Sequence, residues 1–301
     1  MRDWLFFCVV LLLACGSSSK AKAPPPHRVA LEALVLEPVR WVAWARPKHC
    51  FSSPDLQPVA SALLSPSTLA SFRALFGIDL QNVEVIAAQG NAEHLFVVFD
   101  RGFDAKRAVQ ALGRRMLPLE SQTDDPLVRR AGLYRSHRFE AVALSEDQAL
   151  LAKGPPGVFS ALLNAPRRKH PFLSNAPIAF MLKGPPPLPP QGIGLVLSQI
   201  ERLEFEMREH SQGLGRLELV LRLYGPLPQT APYNLRAFVS SIASTDLGLA
   251  FGLEEVEESL RIQVKSDHIA LGAELRPKRL AKGLRIFFGA TISEVLAPSE
   301  E

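Results

Sequence analysis

The sequence predicts an α+β fold: antiparallel sheets covered by helices, in two similar ββαββα-type halves. Three observations predict it. First, apolar and polar residues alternate over short runs that come in adjacent pairs, which is the pattern of hairpins with one buried face. The clearest pair sets Leu203, Phe205 and Met207 between Glu204, Glu206 and Arg208, then Leu217, Leu219, Leu221 and Leu223 between Glu218, Val220 and Arg222. Second, helical patterns fall after pairs of strands, so that each half reads hairpin, helix, hairpin, helix. Third, a shift of 121 positions lays Ser145 on Ser266, Ala149 on Ala270, Leu150 on Leu271, Ala152 on Ala273, Pro156 on Pro277 and Leu163 on Leu284, which suggests an internal duplication.

In order along the chain, strand-like runs come first, at 30–36 and 39–45, the second carrying Trp41 and Trp44. Ser65-Pro66 then reads as a helix N-cap and first helical position, with a stripe of Leu69, Phe72, Ala74 and Leu75 and a stop at Gly77. A hairpin over 83–88 and 95–99 follows; Ile86, Phe96 and Val98 make its second face apolar too, so it belongs in the middle of a sheet, buried on both sides. Asp104 caps the next helix, striped by Ala108 and Leu112. After a polar loop at 121–130, strands are expected at 133–137, 139–144 and 148–153, then a short helix at 157–163.

From Pro166 to Gly192 proline is dense, with one apolar strand at 178–182 inside it. This stretch reads as a linker between a first half at 28–165 and a second at 193–301. Pro186 and Pro189 have PxxP spacing, but proline-rich loops are common without a docking role. In the second half, the register of the leucine hairpin is chosen by charge. A loop at 211–215 sets Arg208 opposite Glu218 and Glu204 opposite Arg222, whereas a shorter loop would oppose like charges. A helix over 231–243, strands at 259–265 and 268–275, and a last helix from Pro277 to about Phe288 complete the chain.

The apolar share of 47% over 301 residues is enough for a substantial core, and a formal charge of +4 spread over the chain is no nucleic-acid footprint. The densest basic run, Arg167-Arg168-Lys169-His170, lies between prolines with no Gly-rich turn or aromatic platform, and reads as a solvated loop.

The first sixteen residues carry the most specific signal. Arg2 gives a positive start, Trp4 to Ala14 is uncharged and too short to span a bilayer, and Ala14, Cys15 and Gly16 are small. Leu12-Leu13-Ala14-Cys15 resembles the lipobox of bacterial lipoprotein precursors. The resemblance implies a signal peptide at 1–14, cleavage between Ala14 and Cys15, and acylation of Cys15, followed by a tether at 15–27. It also implies attachment to a membrane of the bacterial cell envelope, the outer membrane rather than the inner since Gly16 is not Asp. An ordinary secretory signal cut after Gly16 is the alternative. Several acyl chains hold a protein firmly, each buried methylene contributing ~0.8 kcal/mol. With Cys8 removed and Cys15 acylated, the mature chain can make no disulfide within itself.

No Gly-rich phosphate loop, nucleophile elbow, HExxH or CxxC occurs, so no catalytic residue, metal ligand or cofactor is assigned. His49-Cys50 would point apart on an extended chain, and the remaining histidines at 27, 94, 137, 170, 210 and 268 are scattered singly. Asp104 is explained by capping, and Asp124-Asp125 falls in the polar loop. The four carboxylates within Glu254 to Glu258 lack the alternating spacing of a calcium loop and read as a solvated face. These readings lead to a non-catalytic, lipid-anchored envelope protein that binds another envelope component. A carrier of a lipid or other apolar ligand is the alternative, and a hydrolase whose site is invisible as a local motif is the third.

Overall fold

The computed structural model describes residues 31, 39–91, 94–114, 117–118, 129–134, 137–154, 174–186, 193–211 and 215–296. The chain is α+β, as the alternation predicts. It begins with β1 (Trp41–Ala45), then α1 (Pro47–Ser52), α2 (Gln57–Leu63) and α3 (Pro66–Phe76). The hairpin β2 (Val85–Gly90) and β3 (Leu95–Asp100) precedes α4 (Ala105–Gly113). Next come β4 (Leu117–Pro118), β5 (Arg129–Tyr134), β6 (His137–Ser145) and β7 (Gln148–Lys153). The later part holds β8 (Ile178–Lys183), α5 (Ile193–Leu197), β9 (Arg202–Glu209) and β10 (Leu217–Tyr224). It ends with α6 (Ala231–Ala243), α7 (Asp246–Phe251), α8 (Leu253–Ser259), β11 (Arg261–Val264), β12 (His268–Leu275) and α9 (Pro277–Leu296).

All the described strands join one antiparallel sheet in the order β11-β12-β10-β9-β8-β1-β2-β3-β7-β6-β5-β4. Its middle is the pair β1 and β8, with Ala43 opposite Phe180. β8 comes from within the proline-rich stretch, and it carries the ladder across from one half to the other. On either side the strand order repeats: β8-β9-β10-β12-β11 in one direction, β1-β2-β3-β7-β6 in the other. The residue matches at a shift of 121 are not structural equivalents. Leu150 packs on one face of the sheet with Phe96 and Val142, while Leu271 packs on the other with Leu235 of α6. An odd offset moves every side chain of a strand to the opposite face, so those matches do not establish a duplication.

The described helices lie against one face. Ala43, Ala45, Ile86, Ala88, Val97, Met207 and Leu217 pack there against Leu56, Val59, Leu63 and Phe72 of the α1 to α3 region and Leu280 and Leu284 of α9. α6 covers Ile269, Leu271 and Ala273, and α4 covers Ala141, Ala143 and Ala149. Burial of each large side chain contributes ~1.5–3 kcal/mol, and Leu56, Leu64, Ile78 and Leu80 are all at most 1% exposed. Caps set the helix ends as the sequence predicts. Ser65 Oγ accepts the Thr68 N–H at 3.1 Å, Gly77 closes α3 at φ +67°, and Asp104 accepts the Arg107 N–H at 3.0 Å. No described helix is by itself long and apolar enough to cross a membrane; α2 and α3 pass that test only together, bent by 67°.

The other face of the sheet changes character along its width. Under β1, β2, β3, β6, β7 and β8 it is buried and mostly apolar: Val42, Trp44, Phe96, Val98, Val142, Leu144, Leu150, Ala179 and Met181 lie there with the buried polar residues Gln89, Asp100, Glu140 and Gln148. Leu31 packs against both of these clusters. Under β9, β10, β12 and β11 the same face carries charged side chains.

One expectation is corrected. His49 and Cys50 sit in α1 rather than on an extended chain, with Pro47 at the first position of that helix. Cys50 is 3% exposed and disulfide-bonded in the full-length chain. The expectation of no internal disulfide concerns a different species, the processed chain without Cys8 and with Cys15 acylated.

Candidate functional site

The register of the β9-β10 hairpin builds the charged face. Glu218 stands opposite Arg208 and Arg222 opposite Glu204, as the charge argument requires. Arg208 Nε donates to Glu218 Oε2 at 2.8 Å, and Arg222 reaches Glu206 at 3.4 Å and Glu204 at 3.8 Å. The next strand aligns His268 with Tyr224, Ala270 with Arg222, Gly272 with Val220 and Glu274 with Glu218. Beyond it, Arg261 pairs with Gly272 and Gln263 with Ala270, and Lys265 donates its N–H to the His268 carbonyl at 2.9 Å.

The result is a trough of about 220 Å³ running along β12. Its floor lies low because the central outward residues of β12 are Ala270 and Gly272. Its walls are long polar side chains from the two flanking strands, Arg208, Glu218 and Arg222 on one side and Arg261, Gln263 and Lys265 on the other. Those strands stand two ladder spacings apart, roughly 10 Å. A Cβ added at Gly272 would meet nothing within 4 Å, so the space above the glycine is open rather than demanded by a neighbour.

Both ends of the trough are braced. At one end Glu274 receives Arg216 at 2.9 Å, Arg261 at short range and His210 at 3.5 Å. The Arg216 hydrogen bond, with His210 and Arg261 adding their charge, holds the Glu274 carboxyl below the usual range against the opposing effect of its burial. At the other end the Arg202 guanidinium lies 3.8 Å from the centre of the Tyr224 ring, and the His268 ring is 4.9 Å from it. Tyr224 donates to Glu204 Oε2 at 3.0 Å; burial, then the Glu204 charge, raise the phenol pKa. His268 Nδ1 lies 2.7 Å from Asp267, whose carboxyl is lowered first by that hydrogen bond.

Chemically, these walls offer guanidinium, carboxylate, carboxamide and ammonium groups around an open floor, able to donate and accept hydrogen bonds. A serine, a histidine and a carboxylate do meet elsewhere, but in the wrong order for nucleophilic catalysis. Ser53 Oγ donates to Glu209 Oε1, and His49 Nε2 approaches Glu209 Oε2 at 2.9 Å. The carboxylate stands between the other two, so the imidazole is not placed on the hydroxyl it would have to deprotonate. The trio ties α1 to the end of β9.

Residues singled out in the sequence disperse. Ala14, Cys15, Asp124, Asp125 and the run 167–170 lie outside the described residues, as does Pro189 of the PxxP pair. The acidic stretch of α8 is a brace: Glu254 pairs with Arg279, and Glu255 with Arg279 at 3.3 Å and Arg276 at 3.5 Å. Among the described residues no group of three or more His, Cys, Asp or Glu is placed to hold a metal ion. The trough residues Gln263, Lys265, Ala270 and Gly272 were not among the candidate site residues of the sequence. Their one signal in the sequence is the pair of small outward residues within an otherwise alternating strand.

No protein-family model and no curated protein sequence matches the chain. Its fold is similar to solved structures of TP0453. Crystal form III superposes with a TM-score of 0.54 at 11% identity, covering 86% of this chain and 99% of that one. Crystal form IV gives 0.53 at 9% identity, with 86% and 97% covered. At such identities the likeness concerns the fold.

Proposed function

We propose that this is a non-catalytic binding protein of the bacterial envelope, held at a membrane by acyl chains on Cys15 and presenting the trough over β12 to another envelope component. The observation that carries the reading is the trough itself: a sheet face left open among the described residues, floored by Ala270 and Gly272, walled by six long polar side chains and braced by ion pairs at both ends, Arg216 with Glu274 at one and Arg202 with Glu204 at the other. A polar solvated face is ordinary for an antiparallel sheet; what sets this one apart is the floor of small residues between two rows of long polar side chains. Gly272→Leu tests it, because leucine enters open space and raises strand propensity. Chemical cross-linking in intact cells, followed by purification of the anchored protein, is expected to recover a component with wild-type protein that Gly272→Leu no longer retains. Recovery of the same components by both proteins would end the trough reading. Mass spectrometry of the processed chain tests the anchor, with a diacylglyceryl thioether and an acylated amine expected on Cys15.

A second reading, a carrier for a lipid or other apolar ligand, is favoured by a different observation. The outer face under β1 to β3 and β6 to β8 carries a buried apolar cluster, with Phe96 at 1% and Leu150 at 1% exposure, beside the buried polar residues Gln89, Asp100, Glu140 and Gln148. Native mass spectrometry of protein extracted from membranes decides it: a stoichiometric co-purifying lipid supports the carrier, and its absence leaves the binding reading.

A further inference from the structure

The strand β11 ends the sheet, and Arg261, Gln263, Val264 and Lys265 are all exposed there. Because Lys265 donates its N–H inward to His268, the N–H and C=O of Ile262 and Val264 point outward, away from β12. On the helix side, Val264 is 68% exposed beside the half-buried Ile262. On the trough side stand Arg261 and Lys265, and Lys265 makes no ion pair among the described residues. We infer that β11 receives an added strand from a partner protein, an extended segment with acidic residues at alternate positions and apolar residues between them. The inference rests on the reading of the protein as a binder and names its partner's chemistry.

Charge decides between the possible occupants. Residues directly opposite in an antiparallel ladder share a face. For a second copy of this chain, the register that engages both outward residues sets Ile262 of each copy against Val264 of the other. That register also sets Arg261 of one copy against Lys265 of the other, twice. Like charges directly opposite are unfavourable, so the edge is guarded against itself. A strand carrying acids at those two positions turns both repulsions into attractions, while its apolar residues cover Val264 and Ile262 on the other side.

The experiment uses the full chain in detergent and two short synthetic peptides, one alternating glutamate with valine and one alternating lysine with valine, followed by fluorescence anisotropy. The glutamate peptide is expected to bind the wild type at least about tenfold more tightly than the lysine peptide. Val264→Pro is expected to abolish that binding with thermal unfolding unchanged, since an outward edge N–H is the place in a strand where proline is tolerated. The pair Arg261→Glu with Lys265→Glu keeps the backbone and is expected to reverse the peptide preference. Equal affinity for both peptides, binding of neither, or undiminished binding by a folded Val264→Pro protein overturns strand addition. So does self-association of the wild type that Val264→Pro removes, because the occupant is then a second copy. Glutamate-peptide binding lost in Gly272→Leu but retained in Val264→Pro ends strand addition while leaving the trough as the binding site.

Discussion

Glu274 shows how much of the charged face hangs on single side chains. Two guanidinium groups and the His210 ring converge on its carboxylate, which at 15% side-chain exposure is only partly screened. Its folded-state pKa lies below the ordinary 4.5, so the stability it contributes is present above that value and is lost as pH falls through the folded one. Glu274→Gln is therefore expected to lower stability near neutrality by about 1 kcal/mol. The difference from wild type should shrink as pH is taken down through the carboxylate range, read from urea midpoints. A difference that is constant with pH would show that the ion pairs contribute nothing. Phe96 marks the opposite kind of residue. At 1% exposure, among Val98, Val142 and Leu150, its truncation to alanine is expected to cost ~3–5 kcal/mol by the same measurement.

At the scale of elements, the β9-β10 hairpin owes its register to side chains of opposite sign. The double-mutant cycle of Arg208→Glu and Glu218→Arg should show a coupling of ~0.2–1 kcal/mol, with the exchanged pair recovering part of what each single change loses. Zero coupling would remove the charge argument for the register. That argument was available from the sequence because both partners lie within one hairpin, and the caps at Ser65 and Asp104 were legible for the same reason of locality. No element is predicted between the run at 39–45 and Ser65, and α1 and α2 fall there. Pro47 and Pro58 each stand at the start of a helix, where the missing N–H has no intrahelical partner to lose. The last helix runs past the expected end near Phe288 to Leu296, through Gly289, which is weak but tolerated within a helix. The strand at 178–182 was visible as an apolar run, but its place at the centre of the sheet depends on β1, more than a hundred residues away in sequence.

Across the whole molecule, the two faces of one sheet divide the work: one is packed under helices, and the other turns from buried and mostly apolar to open and charged on crossing from β8 to β9. The trough was not legible beforehand because its walls come from strands that only the pairing order brings beside β12, and its floor is made by what Ala270 and Gly272 lack. Where this body resides turns on the three cysteines. The disulfide at Cys50 needs a second thiol, and the sequence offers Cys8 and Cys15. Processing as a lipoprotein removes the first with the leader and converts the second to a thioether, so the disulfide and the anchor exclude one another in a single molecule. Peptide mapping of protein taken from cells, digested without reduction, separates them. A lipoprotein yields a diacylglyceryl-modified peptide beginning at Cys15, and no peptide joins Cys50 to the leader. A peptide joining Cys50 to Cys8 or Cys15 would mean that the leader is retained or that Cys15 is not acylated. Either result would end the proposal of a lipid anchor while leaving the trough and the edge strand as they stand.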